Sequence, residues 1–233
     1  MNRICYNFPV PKLIIFDWDD VFTLGATNGY FASYHAALQE VGVNLPPLEE
    51  QKRIKAKWGR TVEEELGELL KEKPDLINDA VEKYEKILMG DTFVNCLTLI
   101  EGSIELITEL SKNYKLAIAS GVNPRILKQK IFTKFSIPDV FSEIITVYDL
   151  DDPEKAKPHP FIVEEIMKRQ GVKPNETIVV GDAQNDVKMA QAAGTTPVVV
   201  LTGHLNRAQA EEMGVKYIID KVTDLPKVLE KMS

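Results

Sequence analysis

The sequence predicts an α/β fold, a mainly parallel sheet flanked by helices, with an all-helical block inserted after the first strand. Three observations carry this prediction. Short apolar, β-branched runs alternate with stretches of helical periodicity, the order that builds βαβ units. The first run, Leu13-Ile14-Ile15-Phe16, contains no polar residue, as expected of a strand buried on both faces. It ends in Asp17-Trp18-Asp19-Asp20-Val21, three acids in four residues, where an open α/β sheet binds its ligands.

The expected strands are residues 13–16, 115–119, 143–147, 177–180 and 196–201, with a short edge strand at 217–219. Helices are expected at 103–111, 124–132, 160–170 and 186–193. Pro124 opens one of them, and Gly171 and Gly194 follow two others as stop signals. From about 24 to 94 the pattern changes. It shows no strand period but helical stretches at 29–41, 48–58, 62–71 and 75–89. In the last, Leu76, Ala80, Tyr84 and Leu88 recur four apart with Ile77, Val81 and Ile87 beside them, making one apolar face. Pro74-Asp75 opens this helix and Gly90 closes it. So many helices exceed what a single crossover needs. The expected organisation is an α/β core from residues 1–23 and 95–233, with a helical cap from residues 24–94 and an exit hinge at 22–24.

At 44% hydrophobic and 27% charged, a chain of 233 residues can bury a sizeable core. A net charge of −7 with scattered lysines and no basic stripe argues against nucleic-acid binding. No apolar run is long enough for a membrane span, and residues 1–11 lack the continuous apolar core of a signal peptide. Cys5 and Cys96 lie far apart, without metal-ligand spacing, and imply no disulfide framework. The expected location is the cytoplasm. An acidic protein acting on an anionic substrate also needs a local cation to offset its own field.

Acids as close as Asp17, Asp19 and Asp20 raise one another's pKa unless a cation or hydrogen-bond donors hold them ionised. In an extended chain Asp17 and Asp19 point to the same side. Three further polar sites follow strand-like runs or precede a helix. Ser120-Gly121 ends one run, Lys157-Pro158-His159-Pro160 precedes a helix, and Gly181-Asp182 through Asp186 ends another run. The carboxyl ends of parallel strands share one edge. Asp17, Asp19, Ser120, Asp182 and Asp186 are therefore expected along one rim, with Lys157 brought in by its loop. Taken singly, each has a plainer reading: a turn at Ser120, a solvated loop lysine at Lys157, helix caps at Asp182 and Asp186. The ordered set points to catalysis. His159, between two prolines, reads as structural, and His35 and His204 as surface or satisfied polar residues.

In this order the four sites resemble the motifs of the haloacid dehalogenase-like superfamily of phosphohydrolases. The resemblance covers essentially the whole chain, and the helical insert is similar to the family's small α-helical cap. Lys157-Pro158-x-Pro160, Gly181-Asp182-x-x-x-Asp186, Ala193-Gly194 and Thr202-Gly203 look most like the phosphoglycolate phosphatase and β-phosphoglucomutase branch. The resemblance implies a Rossmann-like core and Mg²⁺-dependent hydrolysis of a small phosphorylated metabolite through an aspartyl-phosphate.

By that resemblance Asp17 is nucleophile and metal ligand. Asp19 is the acid/base and lends its backbone carbonyl to the metal, and Asp182 completes the metal set. Ser120, Gly121 and Lys157 would bind the transferring phosphoryl group, with Asp186 orienting Lys157 or a metal-bound water. Lys57-Trp58-Gly59-Arg60-Thr61 resembles the branch's specificity loop. Gly59 would allow close approach there, and Arg60 would either hold an anionic or hydroxyl-bearing group or stand as a surface residue at a helix start. One position departs from the family, which commonly has Gly where Asp20 stands. Asp20 either adopts that turn and points outward, or adds negative charge near the metal. A phosphosugar mutase using the same intermediate and a catalytically silent phosphate-binding module are the alternatives. Dehalogenase and phosphonatase chemistry are disfavoured by Asp19, and a receiver-like module by the size of the insert.

Overall fold

The computed structural model describes residues 10–58 and 60–232. In chain order, β1 (Leu13–Phe16) and a short β2 (Thr23–Leu24) precede α1 (Ala26–Glu40), α2 (Pro47–Ala56), α3 (Val62–Leu69) and α4 (Ile77–Met89). A short α5 (Thr92–Asn95) leads to β3 (Thr98–Leu99), α6 (Ser103–Leu110) and β4 (Lys115–Ser120). A π-helical turn at Ile126–Ile131 runs into α7 (Phe132–Phe135), and β5 (Phe141–Thr146) follows. The chain finishes with α8 (Phe161–Gln170), β6 (Thr177–Gly181), α9 (Gln184–Ala192), β7 (Thr196–Val200), α10 (Arg207–Glu212), β8 (Tyr217–Ile219) and α11 (Leu225–Met232).

Six strands pair in parallel in the order β5-β4-β1-β6-β7-β8. This is the expected α/β architecture, and each expected sheet strand is present. Successive β1 residues serve opposite faces, which is why the run is apolar throughout. Ile14 and Phe16 join a cluster with Ile118, Val180 and Val228. Leu13 and Ile15 join another with Ile162, Ile166 and Met189 from α8 and α9.

Several elements differ from the sequence expectation. The segment expected as a helix at 124–132 is π-helical over most of its length. Residue 75 belongs to a 3₁₀ turn, Pro74–Leu76, ahead of α4. The β2–β3 ribbon, α5, α10 and α11 were not expected. Two-residue strands and the short α5 and α10 carry too few residues for a period to register. α11 does carry one, with Leu225, Val228, Leu229 and Met232 on a single buried face.

The ribbon positions the insert. Thr23 pairs with Leu99 and Leu24 with Thr98 in antiparallel register, so the chain leaves the sheet and returns side by side. The Ile14 cluster continues through Trp18, Phe22 and Phe93 into Tyr34, Leu38 and Leu66 of the helices, a single apolar core through both regions. At the foot of α1, Gly25 has φ 92°, and a Cβ there would lie 2.3 Å from the Cys96 carbonyl oxygen. Gly42 also has positive φ, 71°, but a Cβ there would meet nothing within 4 Å. Gly42→Ala is expected to lose about 1 kcal/mol from backbone strain. Gly25→Ala adds a backbone clash, for a loss of roughly 2–4 kcal/mol. Urea unfolding measures both, and equal losses would refute the close approach at the foot of the insert.

Candidate active site

Asp17 follows β1 directly, and its N–H donates to the Val180 carbonyl at 2.9 Å, keeping it in register with β6. The loop ahead of α8 brings in Lys157, whose Nζ lies 3.0 Å from Asp17 Oδ1 and 2.7 Å from Asp186 Oδ1. The other oxygen of Asp186 accepts from the Ala183 N–H at 3.1 Å. Lys157 and Asp186 side chains are only 10% and 4% exposed, so these contacts are largely shielded from water. Burial works against the Lys157 ammonium, but the Asp17 and Asp186 carboxylates outweigh it and hold its pKa above the usual lysine value.

Asp182 does not cap α9, contrary to the plainer reading of the sequence. Its Oδ2 accepts from the His204 N–H at 2.9 Å, across the sheet edge. The helix cap comes from Asp186 instead. Close packing explains the glycine that precedes His204. A Cβ on Gly203 would sit 1.9 Å from Asp182 Oδ2. Oxygens of Asp17, Asp182 and Asp186 lie within 4.8 Å of one another. Burial, then the charges of Asp186 and Asp17, push the Asp182 pKa well up. Asp186 is also raised by burial, with Lys157 opposing.

The Asp19 carboxyl turns toward the insert. Its Oδ2 accepts from the Tyr30 hydroxyl of α1 at 2.9 Å, and its Oδ1 is buried without a partner among the described residues. Burial, followed by repulsion from Asp17, pushes the Asp19 pKa up to about 8 against the pull of the Tyr30 hydrogen bond. Ser120, at the end of β4, is buried, and its Oγ accepts from the Val122 N–H at 3.2 Å.

Asp20 adopts the turn with φ 55°, as the departure from glycine requires. Its carbonyl accepts from the Thr202 hydroxyl, and its Oδ2 accepts from Thr27 Oγ1 at 3.2 Å. Its side chain lines the cavity, where an outward orientation was one expectation. Burial raises its pKa, with the Thr27 hydrogen bond opposing.

Asp17, Asp19, Arg60, Ser120, Gly121, Lys157, Asp182 and Asp186 all line one cavity of about 110 Å³. Arg60 reaches it but commits its guanidinium elsewhere, donating to the Pro153 carbonyl at 2.9 Å and lying 3.7 Å from Glu154. Gly59 and Cys5 lie outside the described residues. His35 is a satisfied polar residue, 3.0 Å from Glu50, and His159 accepts from the Phe161 N–H at 3.1 Å.

His204 lies at the surface, as expected, but it also belongs to the acidic edge. Its ring nitrogen groups with Asp20 and Asp182 oxygens within 4.8 Å, and the ring meets Trp58 edge-on. Sequence reasoning missed it, although Gly203-His204 after β7 sits at the same strand edge as the other motifs. It also missed Tyr30 and Glu65, which no local spacing marks.

A profile of the haloacid dehalogenase-like hydrolase family matches residues 14–200. Among curated proteins, a pyrophosphatase PpaX from Bacillus mycoides (strain KBAB4) is 32% identical over 130 residues, 55% of this chain and 59% of that protein. The chain thus matches little more than half the length of these relatives. A structure of a predicted phosphoglycolate phosphatase from Haemophilus somnus 129PT superposes with a TM-score of 0.79 at 22% identity, covering 94% of this chain and 98% of that one. A haloacid dehalogenase-like hydrolase from Streptococcus pneumoniae superposes at 0.73 with 20% identity, covering 94% and 98%. At such identities the structural likeness speaks for the fold. No helix among the described residues is long and apolar enough to cross a membrane. The profile runs from β1 to β7 and takes in the acids, Ser120 and Lys157 in their order along one sheet edge. The chain belongs to the haloacid dehalogenase-like hydrolase family.

Proposed function

We propose that this protein hydrolyses a small phosphomonoester by passing its phosphoryl group first to Asp17 and then to water. Phosphate monoesters hydrolyse so slowly that catalysis must lower the barrier by upwards of about 20 kcal/mol. A carboxylate nucleophile divides that displacement into two easier ones. One observation carries the reading: the Asp17 carboxyl stands at the sheet edge beside the buried Lys157 ammonium, with Asp19 held largely protonated at neutral pH.

In the first displacement an Asp17 oxygen bonds to phosphorus as the ester P–O bond breaks, and the Asp19 proton passes to the leaving oxygen. In the second, Asp19, now ionised, takes a proton from the attacking water. Inorganic phosphate leaves and the Asp17 carboxylate is restored. Lys157 sets a fixed positive charge against the phosphoryl oxygens, and Asp186 holds it in place. The Ser120 hydroxyl, accepting from Val122, keeps its own proton free to donate to a phosphoryl oxygen.

The raised carboxyls fit a hard divalent cation, because oxygen donors from two strand ends converge and repel one another without one. Asp17 and Asp182, with the Asp19 backbone carbonyl, would hold Mg²⁺. The ion would supply positive charge against the charge developing on the phosphoryl oxygens. We also propose that the insert, residues 24–94, acts as a cap over this edge. Support comes from the Tyr30–Asp19 hydrogen bond and the Arg60–Pro153 contact, which both cross from insert to core.

Asp17→Asn is expected to lower Mg²⁺-dependent turnover of p-nitrophenyl phosphate by at least ~10³-fold with the thermal midpoint little changed. Undiminished turnover would overturn the mechanism.

A second expectation concerns pH. The folded-state pKa values of Asp19, Asp182 and Asp186 lie above the ordinary carboxyl value of 3.8, chiefly through burial. At these three carboxyls the folded protein therefore binds more protons than the unfolded chain from about pH 4 up to about 8, and their contribution to metal-free stability falls as pH rises through that window. Added Mg²⁺ is expected to raise the thermal midpoint, with a larger gain at pH 8 than at pH 5. Scanning calorimetry with EDTA or Mg²⁺ measures this, and a gain that shrinks with pH would contradict it.

A further inference from the structure

Asp182 belongs to two groups of metal-ligand type. One is the Asp17–Asp182–Asp186 set described above. The other joins an Asp182 oxygen to an oxygen of Asp20 and a ring nitrogen of His204, all within 4.8 Å of one another. Neither Asp20 nor His204 is among the residues that would hold Mg²⁺. Asp20 stands where the family commonly has Gly, so its carboxyl is a feature of this chain.

Each member of the second group has one atom held by the fold and another left uncommitted. Asp20 Oδ2 accepts from Thr27 Oγ1 at 3.2 Å, and its Oδ1 has no hydrogen-bond partner among the described residues. Asp182 Oδ2 accepts from the His204 N–H at 2.9 Å, and its Oδ1 is likewise unpartnered among them. That carboxyl is only 2% exposed and lines the cavity, a setting in which an unmatched oxygen is costly. The His204 ring nitrogens accept and donate no hydrogen bond among the described residues, while the ring rests edge-on against Trp58, centroids 5.8 Å apart.

Donor chemistry selects the ion. Mg²⁺ takes oxygen ligands and gains little from an imidazole. One imidazole nitrogen with two carboxylate oxygens suits a borderline transition-metal ion, and three protein ligands leave a position for water. The charge balance also leaves room for it. With Asp19 protonated, Asp17, Asp20, Asp182 and Asp186 carry four negative charges when ionised, against one positive charge on Lys157 and two on a single divalent ion.

We infer that Asp20, Asp182 and His204 bind a borderline divalent transition-metal ion, of the Co²⁺ and Zn²⁺ class, as a second cation beside the proposed Mg²⁺. Binding requires no turnover, so this inference is tested separately from the phosphohydrolase reading.

The test titrates the full-length protein with Co²⁺ in excess Mg²⁺, following the visible absorption of the bound ion and tryptophan fluorescence. A single Co²⁺ is expected to bind over the Mg²⁺, with a spectrum showing nitrogen coordination and partial quenching, because Trp58 adjoins the His204 ring. Asp20→Gly suits the φ of 55° at that position, and His204→Ala removes an exposed ring, so both variants are expected to fold. Each should weaken Co²⁺ binding at least ~10-fold, since loss of a direct ligand costs no less than loss of a residue that merely orients one. If one variant does not fold, the other decides. Absence of Co²⁺ binding, or binding that excess Mg²⁺ abolishes, overturns the second site. Undiminished affinity in either folded variant overturns it as well.

Discussion

The contact on which the rest of the site depends is the Lys157 ammonium, held between Asp17 and Asp186 at the carboxyl edge of the sheet. Three largely buried acids, Asp17, Asp182 and Asp186, crowd within a few ångströms there, and Asp19 and Asp20 stand close by. One ammonium neutralises one negative charge. Burial, with this surplus added to it, holds the carboxyls of Asp19, Asp182 and Asp186 above their ordinary range. Removing Lys157 would leave uncompensated buried charge, which is more destabilising than an intact pair is stabilising. The same surplus is what a divalent cation would relieve, so the folding problem and the proposed chemistry are settled by one set of charges.

The insert shares in this electrostatic arrangement. Tyr30 from α1 donates to Asp19, Thr27 from the same helix donates to Asp20, and Trp58 meets the His204 ring. Asp19 owes its raised pKa chiefly to burial, and the hydrogen bond from Tyr30 places α1 against it. Its readiness to give a proton therefore depends on where the helices sit. Arg60 adds a tie in the opposite direction, from the insert to the 153–154 turn of the core. The apolar core runs without interruption from β1 through Trp18 and Phe22 into the helices, so these polar contacts rest on a continuous packed support.

The two ends of the cavity have different origins. The end holding Asp17, Ser120, Lys157 and Asp182 is built from strand termini and loops along the sheet edge. The other end is built from insert helices and carries Glu65 and tyrosine hydroxyls. A scaffold that fixes the first end by sheet register and leaves the second to helix surfaces can keep one chemistry while changing what it acts on.

Much of this was legible in the sequence because it depends on local pattern. An apolar run must be a doubly buried strand, and parallel strands bring their carboxyl ends to one edge, so Asp17, Ser120, Lys157, Asp182 and Asp186 could be placed together before any coordinates. The α/β class, the helical insert and the sheet strands followed from the same periodicities. Only the tertiary structure decided which partner each acid takes: Asp182 the His204 N–H, Asp186 the helix cap and Lys157, Asp19 the Tyr30 hydroxyl. It also turned Arg60 away to Pro153, brought His204 to the edge and gathered Glu65 with Tyr34. Those outcomes depend on how helices pack against one another and against the sheet. That packing joins residues with no fixed spacing along the chain, and no local period records it.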